Sequence, residues 1–499
     1  MPSLKKNIIF NYLGQFYRAF IGILILPLYL QELGGEAFGL IGFFTLLLAC
    51  MQLINLGLTP TLGREVARLK GDPKNSHELR TVVRSLEVVF MFIAAFATAT
   101  IFLSRNWVAV DWLSINELDT SLVATSVGLM AFMVGLRWLS SLYMSGINAY
   151  EQQVWINVVG ICIATFRFPG ALAVILISKG DLLLFFAYQI IVAFVECIIY
   201  AIKLKKIMPP TDTQVNFSSS SLKRIAPFAL SIGYTAGIWV LVTQLDKLLL
   251  SKILPLAEYG YFTLIATLAG GILFLSNPLG RAILPRMTSL IAKNNEREML
   301  KVYMKGTGIV SAVVSPIVLV IAFFPKEVVY IWTGSEQAAE WVASILPLYV
   351  IGYGLLTIGA FQFYLQYAYG KLKQHVIFNT VSALISVPLV VYSAYNFGPI
   401  GVAWVWFVFR LLSLLFWAPY IHHKFAPGIH FDWLMKRVFP PIFISITCLL
   451  ILNISFEYQF SNDRLMDLFY ISAITSVLLL ASFGIIFFRE IRVFIREKI

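Results

Sequence analysis

The sequence predicts an all-α polytopic membrane protein with about fourteen transmembrane helices. Of its 499 residues, 59% are hydrophobic and only 13% are charged, whereas a soluble domain is about 25% charged. Apolar runs of 19 to 26 residues recur along the whole chain, and about 20 apolar residues cross the hydrocarbon core as a helix. Each run is expected to be helical, because lipid offers no hydrogen-bond partner to an unpaired backbone amide.

Fourteen candidate segments follow one another with short connections. The longest connections are 59–84, 203–224 and 281–305. None of them is long enough for a soluble domain, so we expect any functional site to lie within the helical bundle. The segments, numbered in chain order, are 8–30, 37–58, 85–104, 120–145, 154–178, 182–202, 225–250, 259–280, 306–324, 341–365, 376–395, 399–421, 438–456 and 468–488.

The distribution of basic residues predicts the orientation in the membrane. With the N-terminus in the cytoplasm, the cytoplasmic loops hold 28 Lys and Arg, the opposite loops hold 5, and 5 lie within segments. Such an excess marks the cytoplasmic side, so we expect both termini there. The same distribution explains the net charge of +12 without nucleic acid, and it predicts anionic membrane lipids as partners.

The chain contains an internal repeat at an offset of 220 to 222 residues. Because the offset spans six segments, the two halves have the same orientation, and such parallel repeats are typical of transporters with a substrate site at the repeat interface. We predict an N-terminal lobe (1–202), a cytoplasmic linker (203–224), a C-terminal lobe (225–424) and an appended helical pair with a cytoplasmic tail (425–499). The matched residues are Gly39 with Gly260, Arg64 with Arg286, Trp112 with Trp332 and Asn157 with Asn379.

Arginines within the segments are the first candidates for a binding site. Arg18, Arg167 and Arg410 lie near the middle of segments 1, 5 and 12, and Arg137 lies nearer the cytoplasmic end of segment 4. Ionisable residues at such depth usually face the bundle interior or a water-filled cavity. The alternative is that each arginine pairs with an acid and braces two helices, but few acids lie at matching depth. Since guanidinium can bind two phosphate oxygens at once, the surplus predicts an anionic, phosphate-bearing ligand.

Three acids lie within the segments. Glu87 stands one turn from Arg84, so we expect a local ion pair between them. Glu196 in segment 6 and Asp246 in segment 7 are the candidates for coupling transport to an ion.

Amides and histidines add less to the predicted site. Gln15 and Gln244 lie close to charged candidates, and we count both as candidate substrate contacts, although amides in membranes more often join helices. All five histidines fall in predicted cytoplasmic loops, so no buried histidine relay is expected. The chain shows no Cys/His spacing typical of a metal site and no G-x-x-x-x-G-K-[ST] nucleotide motif. We therefore expect no cofactor.

Other function classes fit the residues less well. A membrane-embedded enzyme, such as a polysaccharide polymerase or an acyltransferase, would need a large outer loop or buried His/Asp chemistry, and the sequence indicates neither. A scaffold without transport would leave the mid-segment arginines unexplained. The prediction is a transporter and not an enzyme.

Several stretches follow the pattern of one known family. They cover about residues 8–425 and resemble the polysaccharide (O-antigen-type) flippases of the multidrug/oligosaccharidyl-lipid/polysaccharide exporter superfamily. The stretches are NYLGQFYRAFIGILILPLYLQELGGEAFGL, INLGLTPTLGREVARLKG, YMSGINAYEQQVWIN, LDKLLLSKILPLAEYGYFTL, FLSNPLGRAILPRM and VVYIWTGSE.

The resemblance implies two six-helix lobes around a central cavity, working by alternating access. In the polysaccharide branch the cargo is an undecaprenyl-diphosphate-linked oligosaccharide, which crosses the bacterial cytoplasmic (inner) membrane from its inner to its outer leaflet. The resemblance also implies that Arg18 is a cavity arginine and that segments 13 and 14 line a groove for the lipid tail. The further partners that it suggests are a polysaccharide polymerase and chain-length proteins.

A second branch of the same superfamily is the alternative. Its members are cation-coupled multidrug or metabolite antiporters, which commonly use carboxylates in the first helix. Segment 1 has no acidic residue, and four buried arginines would repel a cationic substrate. The sequence therefore favours the polysaccharide branch.

Overall fold

The described part of the computed structural model comprises residues 4–55, 57–70, 73–211, 215–455 and 463–498. Within it there is no β-strand, and a single bridge joins Ser114 and Pro255. The predicted all-α class is confirmed. Short π-helical turns occupy Val108–Trp112, Phe166–Gly170, Ser413–Trp417 and Leu434–Val438.

The helices are α1 (Leu4–Leu33), α2 (Gly35–Ile54), α3 (Leu58–Leu69), α4 (Ser76–Trp107), α5 (Thr120–Ala149), α6 (Gln153–Thr165), α7 (Ala171–Ser178), α8 (Leu182–Ile207), α9 (Ser219–Ile253), α10 (Leu256–Ala292), α11 (Glu296–Phe323), α12 (Pro325–Thr333), α13 (Glu336–Val342), α14 (Leu346–Ala368), α15 (Lys373–Leu412), α16 (Ala418–Phe425), α17 (Ile429–Trp433), α18 (Phe439–Ser455) and α19 (Arg464–Lys498).

Twelve helical stretches of the described residues are long and apolar enough to cross a membrane. The longest, Lys373–Phe425, has 53 residues, which is about 80 Å of helix against a hydrocarbon core of about 30 Å. It is interrupted at Gly398, where φ is 61° and ψ is −150°, between predicted segments 11 and 12. Counting the two sides of this break separately, and adding the apolar helix α2, would give fourteen crossings. The number fourteen remains a prediction.

The chain forms two compact units, residues Met1–Gly260 and Tyr261–Ile499, called here the first and second units. In the first unit, α5 packs against α2, α3, α4 and α8, while α1 packs against α6 and α7. Helix α9, which begins within the predicted linker 203–224, packs against α2, α3 and α4 and so belongs to the first unit. The lobe boundaries drawn from the sequence repeat stay a prediction.

An ion cluster holds α3, α4 and α9 together at one end of the first unit. Glu65 and Glu78 are shared by Arg68 and Arg224, with nitrogen–oxygen distances of 2.8 and 3.2 Å to Arg68 and of 3.8 and 2.7 Å to Arg224. The hydrogen bond that Arg68 donates to Glu65 raises the pKa of the Arg68 guanidinium. Since both arginines are about half exposed, the cluster orients the helices more than it stabilises them.

The repeat-related glycines meet at the other end of the first unit. A Cβ on Gly260 would lie 2.8 Å from the Gly35 carbonyl oxygen and 3.0 Å from the Gly39 nitrogen. Both positions therefore need glycine for the backbones of α2 and α10 to approach. The nearby Leu256 amide donates to the Ser114 carbonyl (2.8 Å), which ties the α9–α10 turn to the loop before α5.

In the second unit, α11 is the central helix and contacts α14, α18 and α19. Val320 of α11 packs with Leu449 of α18 and with Ile474 and Leu478 of α19, all of them buried. The C-terminal pair predicted as appended is thus attached to the second unit through an apolar contact with α11.

The buried carboxylate of Glu36 joins the start of α2 to the loop before α5, and its removal provides a stability test. Its oxygens accept hydrogen bonds from the backbone amides of Asn116, Glu117 and Leu118 at 2.7, 2.9 and 2.8 Å. Glu36→Ala should lower the free energy of unfolding by about 2–4 kcal/mol, because three amides lose a charged acceptor. Thermal unfolding in detergent measures this loss. The matched control is Glu32→Ala, at an exposed position four residues earlier, and equal melting temperatures for the two variants would contradict the assignment.

Candidate functional site

The packing of α1 against α6 positions Arg18. Its Nη2 donates to Asn157 Oδ1 (3.2 Å), and the Asn157 amide in turn donates to Asn11 Oδ1 (2.6 Å). The guanidinium lies directly on Gly160, where any Cβ would collide with Nη1. The side chain is therefore held by the Asn157 amide and by a glycine surface, and no acid of the described residues forms an ion pair with it.

The side-chain amide of Gln189 links Arg137 and Arg167, the two other candidate site arginines of the first unit. Gln189 Oε1 accepts from Arg137 Nη2 (3.2 Å), and its Nε2 donates to the Arg167 carbonyl (2.8 Å). Arg167 lies in the π-turn Phe166–Gly170, which also contains Pro169. Proline and a π-turn both leave backbone carbonyls without their usual helical donors, and side chains satisfy them here: Tyr29 donates to the Phe168 carbonyl (2.8 Å).

The charges of this region do not balance. Glu196 attracts both Arg137 and Arg167, and Tyr200 lies within electrostatic range of both Glu196 and Arg18. None of the three arginines forms an ion pair within 4 Å with an acid of the described residues. One oxygen of Glu196 and the Nε of Arg137 are buried without a hydrogen-bond partner. Arg137 and Arg167 thus share the attraction of one carboxylate, while Arg18 lies on α6 against Asn157. We call Arg18, Arg137 and Arg167 the first-unit arginine cluster.

Arg410 has a different environment in the second unit. It is 7% exposed and lies over the Trp406 ring, 4.3 Å from its centroid. Trp406 packs in turn on Tyr353 and Tyr349, with ring centroids 4.9 and 6.3 Å away. The Arg410 Nε is buried without a hydrogen-bond partner, and no acid pairs with this arginine in the described part of the second unit. Within the described residues, the stabilising contacts seen for this cation are the faces of Trp406 and Phe409.

The remaining predicted site residues lie in simpler surroundings. Gln15 precedes Arg18 by one turn of α1 and is partly buried. Gln244 makes a weak contact with Thr243 Oγ1 (3.5 Å). Asp246 is buried and pairs with its neighbour Lys247 (3.2 Å). Their roles in binding or coupling stay predictions.

The predicted pair of Glu87 with Arg84 is confirmed. The two side chains are 2.7 Å apart, and Tyr143 donates a further hydrogen bond of 2.7 Å to Glu87. This acid therefore has its own partners and does not neutralise the first-unit arginine cluster.

One histidine of the predicted loops is buried, which the sequence did not predict, while the absence of a histidine proton relay stays a prediction. His422 is fully buried; its Nε2 lies 2.6 Å from the Tyr303 hydroxyl and its Nδ1 lies 2.8 Å from His430 Nδ1. The physical reason is that the helical stretch runs on to Phe425, past the predicted end of segment 12 at 421, and packs His422 against α11. In the pair of ring nitrogens, one must donate and the other must accept.

Two contacts of the arginines were not expected from the sequence. The sequence does not predict Gln189 as the bridge between Arg137 and Arg167, nor Trp406 as the ring beneath Arg410. The available signal was spacing: Gln189 and Glu196 stand seven residues apart on α8, and Trp406 and Arg410 stand four apart on α15, so each pair shares a helix face.

Comparison with known proteins agrees with this architecture. The sequence profile of a family described as polysaccharide biosynthesis protein matches residues 4–291, more than half of the chain. A second profile, MatE, matches residues 238–392. A curated protein of Shigella flexneri named "Putative O-antigen transporter" is 20% identical over 413 residues, which is 83% of this chain and 96% of that protein.

Solved structures show the same fold at low sequence identity. The lipid II flippase MurJ, in an inward closed conformation, is 13% identical with a TM-score of 0.72, over 97% of this chain and 99% of MurJ. An inward-facing multidrug resistance transporter of the MATE family, within the MOP superfamily, is 13% identical with a TM-score of 0.65, over 81% and 94% of the two chains.

The names of these relatives describe transporters and flippases, not enzymes. The family profile covers the arginine cluster of the first unit, and the fold match extends to α18 and α19. The chain is therefore a multi-pass membrane transporter, and it belongs to the polysaccharide biosynthesis protein family.

Proposed function

We propose that this protein is a flippase for an undecaprenyl-diphosphate-linked oligosaccharide in the bacterial cytoplasmic membrane. The diphosphate binds to Arg18, Arg167 and Arg410, with Arg137, Gln15 and Gln244 as further contacts. The protein works by alternating access with both termini in the cytoplasm, and the prenyl tail stays in the lipid. The observation that carries the proposal is the charge imbalance of these arginines, of which Arg410 is buried and Arg18, Arg137 and Arg167 are partly buried.

Charge neutralisation supports a lipid diphosphate as the cargo. Among the described residues, the first-unit arginine cluster has three cations and one nearby acid, and Arg410 has no acid as an ion-pair partner. A buried cation is costly until an anion of good geometry approaches it. A diphosphate presents several oxygens to planar guanidinium groups and can bind them bidentately. A neutral or cationic cargo would leave this cost in place.

The polysaccharide relatives support the sugar part of the cargo. The family is described by polysaccharide biosynthesis, and the Shigella flexneri relative is named for O-antigen transport. An O-antigen repeat unit that crosses the membrane must then be joined into a polymer. A polysaccharide polymerase and chain-length proteins are therefore the proposed partners, beside anionic lipids.

A second candidate function is a cation-coupled multidrug or metabolite antiporter. The observation in its favour is the MatE profile match over residues 238–392, which includes the buried Asp246. Efflux of a cationic dye from cells that express the protein tests it. Efflux that is lost in Asp246→Asn would favour the antiporter, whereas absence of efflux would favour the flippase.

Removal of single arginines tests the proposed diphosphate site. We expect Arg18→Ala, Arg167→Ala and Arg410→Ala each to reduce lipid-linked oligosaccharide transport by about 10- to 100-fold, because each loses charge-assisted hydrogen bonds to phosphate. Replacement by Lys should restore only part of the activity, since ammonium cannot bind two oxygens in one plane. The measurement is surface polysaccharide in a strain that depends on this protein, normalised to protein level in the membrane.

The matched control for these variants is Arg105→Ala. Arg105 lies at the end of α4 and stacks on Phe102 at 4.1 Å, outside the proposed site, so this variant should keep near-normal transport. Wild-type activity in all three site variants would overturn the arginine site.

Glu196 is the proposed ion-coupling carboxylate nearest to the arginines, and Asp246 is the second. Because Glu196 faces Arg137 and Arg167, a change of its protonation alters the net charge available to the diphosphate. In proteoliposomes with an imposed proton gradient, Glu196→Gln should abolish the acceleration of transport by the gradient while transport without a gradient persists. Asp246→Asn is the comparison variant. If gradient acceleration survives in both variants, neither carboxylate couples transport to protons.

A further inference from the structure

A basic pocket lies in the second unit, away from Arg410, between the end of α10, the start of α11 and the segment 428–437. Its volume is about 870 Å³. Six basic and two acidic side chains line it, so its formal charge is strongly positive. The charged lining residues are Arg286, Arg297, Lys301, Lys305, Lys436, Arg437, Glu298 and Asp432.

The helix periodicity of α11 explains how the cations converge. Arg297, Lys301 and Lys305 follow one another at intervals of four residues and therefore share one face of the helix. Arg286 faces them from α10, and the alkyl chain of Arg437 packs on α11 where Gly308 leaves space, with 3.2 Å between its Cδ and an ideal Cβ at that glycine.

Acids neutralise only part of this charge. Glu298 pairs with Lys301 at 2.9 Å, and Asp432 pairs with Lys436 at 2.6 Å. Arg286, Arg297 and Lys305 form no ion pair within 4 Å with an acid of the described residues. Three cations in one concave site thus remain available to a ligand that carries negative charge.

Most of the remaining lining residues are apolar. An apolar wall favours an anionic ligand that also has hydrocarbon chains. A free phosphate ion would gain nothing from an apolar wall, whereas a phospholipid has both a charged head and acyl chains. Single-stranded nucleic acid usually binds to basic grooves that also carry aromatic side chains for base stacking, and none of the described residues that line this pocket is aromatic. The apolar lining residues are Leu279, Ala282, Ile283, Leu300, Val302, Met304, Ile309 and Ile429.

The predicted topology places the pocket at the membrane leaflet rich in anionic lipid. It lies beside the connection between α10 and α11, which the basic-residue distribution assigns to the cytoplasmic side. Basic pockets between transmembrane helices on that side are suited to anionic headgroups.

We propose that the basic pocket binds the headgroup of an anionic glycerophospholipid, with its acyl chains along the apolar wall. The phosphate meets Arg286, Arg297 and Lys305. Because α10, α11 and the segment before α18 all contribute to the pocket, the bound lipid joins the C-terminal helical pair to α10 and α11 within the second unit. This site is separate from the proposed diphosphate site, so either proposal can fail alone.

Native mass spectrometry of the full-length protein in detergent tests the site with phosphatidylglycerol as the probe. The triple variant Arg286→Ala, Arg297→Ala and Lys305→Ala should bind phosphatidylglycerol about 100-fold more weakly than the wild type, since each cation near the headgroup contributes to affinity. The control triple variant Lys205→Ala, Lys206→Ala and Lys223→Ala removes the same charge from exposed positions of the first unit. It should bind phosphatidylglycerol like the wild type.

Three further titrations identify the source of the phosphate. Phosphatidylcholine should bind the wild type weakly, and millimolar inorganic phosphate should not displace phosphatidylglycerol. Equal binding of the two lipids, full displacement by inorganic phosphate, or unchanged affinity in the pocket variant would overturn the proposal. A pocket that retains undecaprenyl diphosphate in preference to phosphatidylglycerol would also overturn it, because the pocket would then serve the cargo.

Discussion

The cost of holding a guanidinium away from water without an acid is the constraint on which this structure depends. A buried charge whose partner is missing destabilises a protein by several kcal/mol, and within a membrane its usual position is a bundle interior or a wet cavity. This chain accepts that cost at Arg410 and at the first-unit arginine cluster. Under the proposed function, the diphosphate of the cargo offsets this cost by completing the site.

The surrounding structure lowers this cost without removing the charge. Amide side chains contact two of the arginines: Asn157 binds Arg18 and Gln189 binds Arg137. Aromatic faces do the same for Arg410 through Trp406. Neutral partners of this kind orient a cation and leave its charge unneutralised, whereas a carboxylate would cancel it. The π-turn at Arg167 contributes to this arrangement. The backbone carbonyl of Arg167 accepts a hydrogen bond from Gln189 and so fixes the position of that amide.

The fold class was predictable from the sequence because a hydrophobic stretch long enough to cross a bilayer leaves the backbone little choice but a helix. The pair of Arg84 with Glu87 was predictable for a similar reason, since both residues lie on one turn. Contacts between distant residues were not: Gln189 reaches Arg137 across 52 positions, and His422 reaches Tyr303 across 119. These two contacts depend on the packing of α8 on α5 and on the position of α16 beside α11. The depth of the arginines was visible in the sequence, but the neutral chemistry of their partners was not.

The most direct test of the account compares two ligands that differ only in the diphosphate group. Undecaprenyl diphosphate and undecaprenol share the prenyl chain, so their affinities for the purified protein isolate the contribution of the diphosphate. The account predicts that the diphosphate binds at least about 100-fold more tightly than the alcohol and that Arg410→Ala removes most of this difference. Equal affinities for the two ligands would show that the buried arginines do not recognise phosphate and would contradict the central claim.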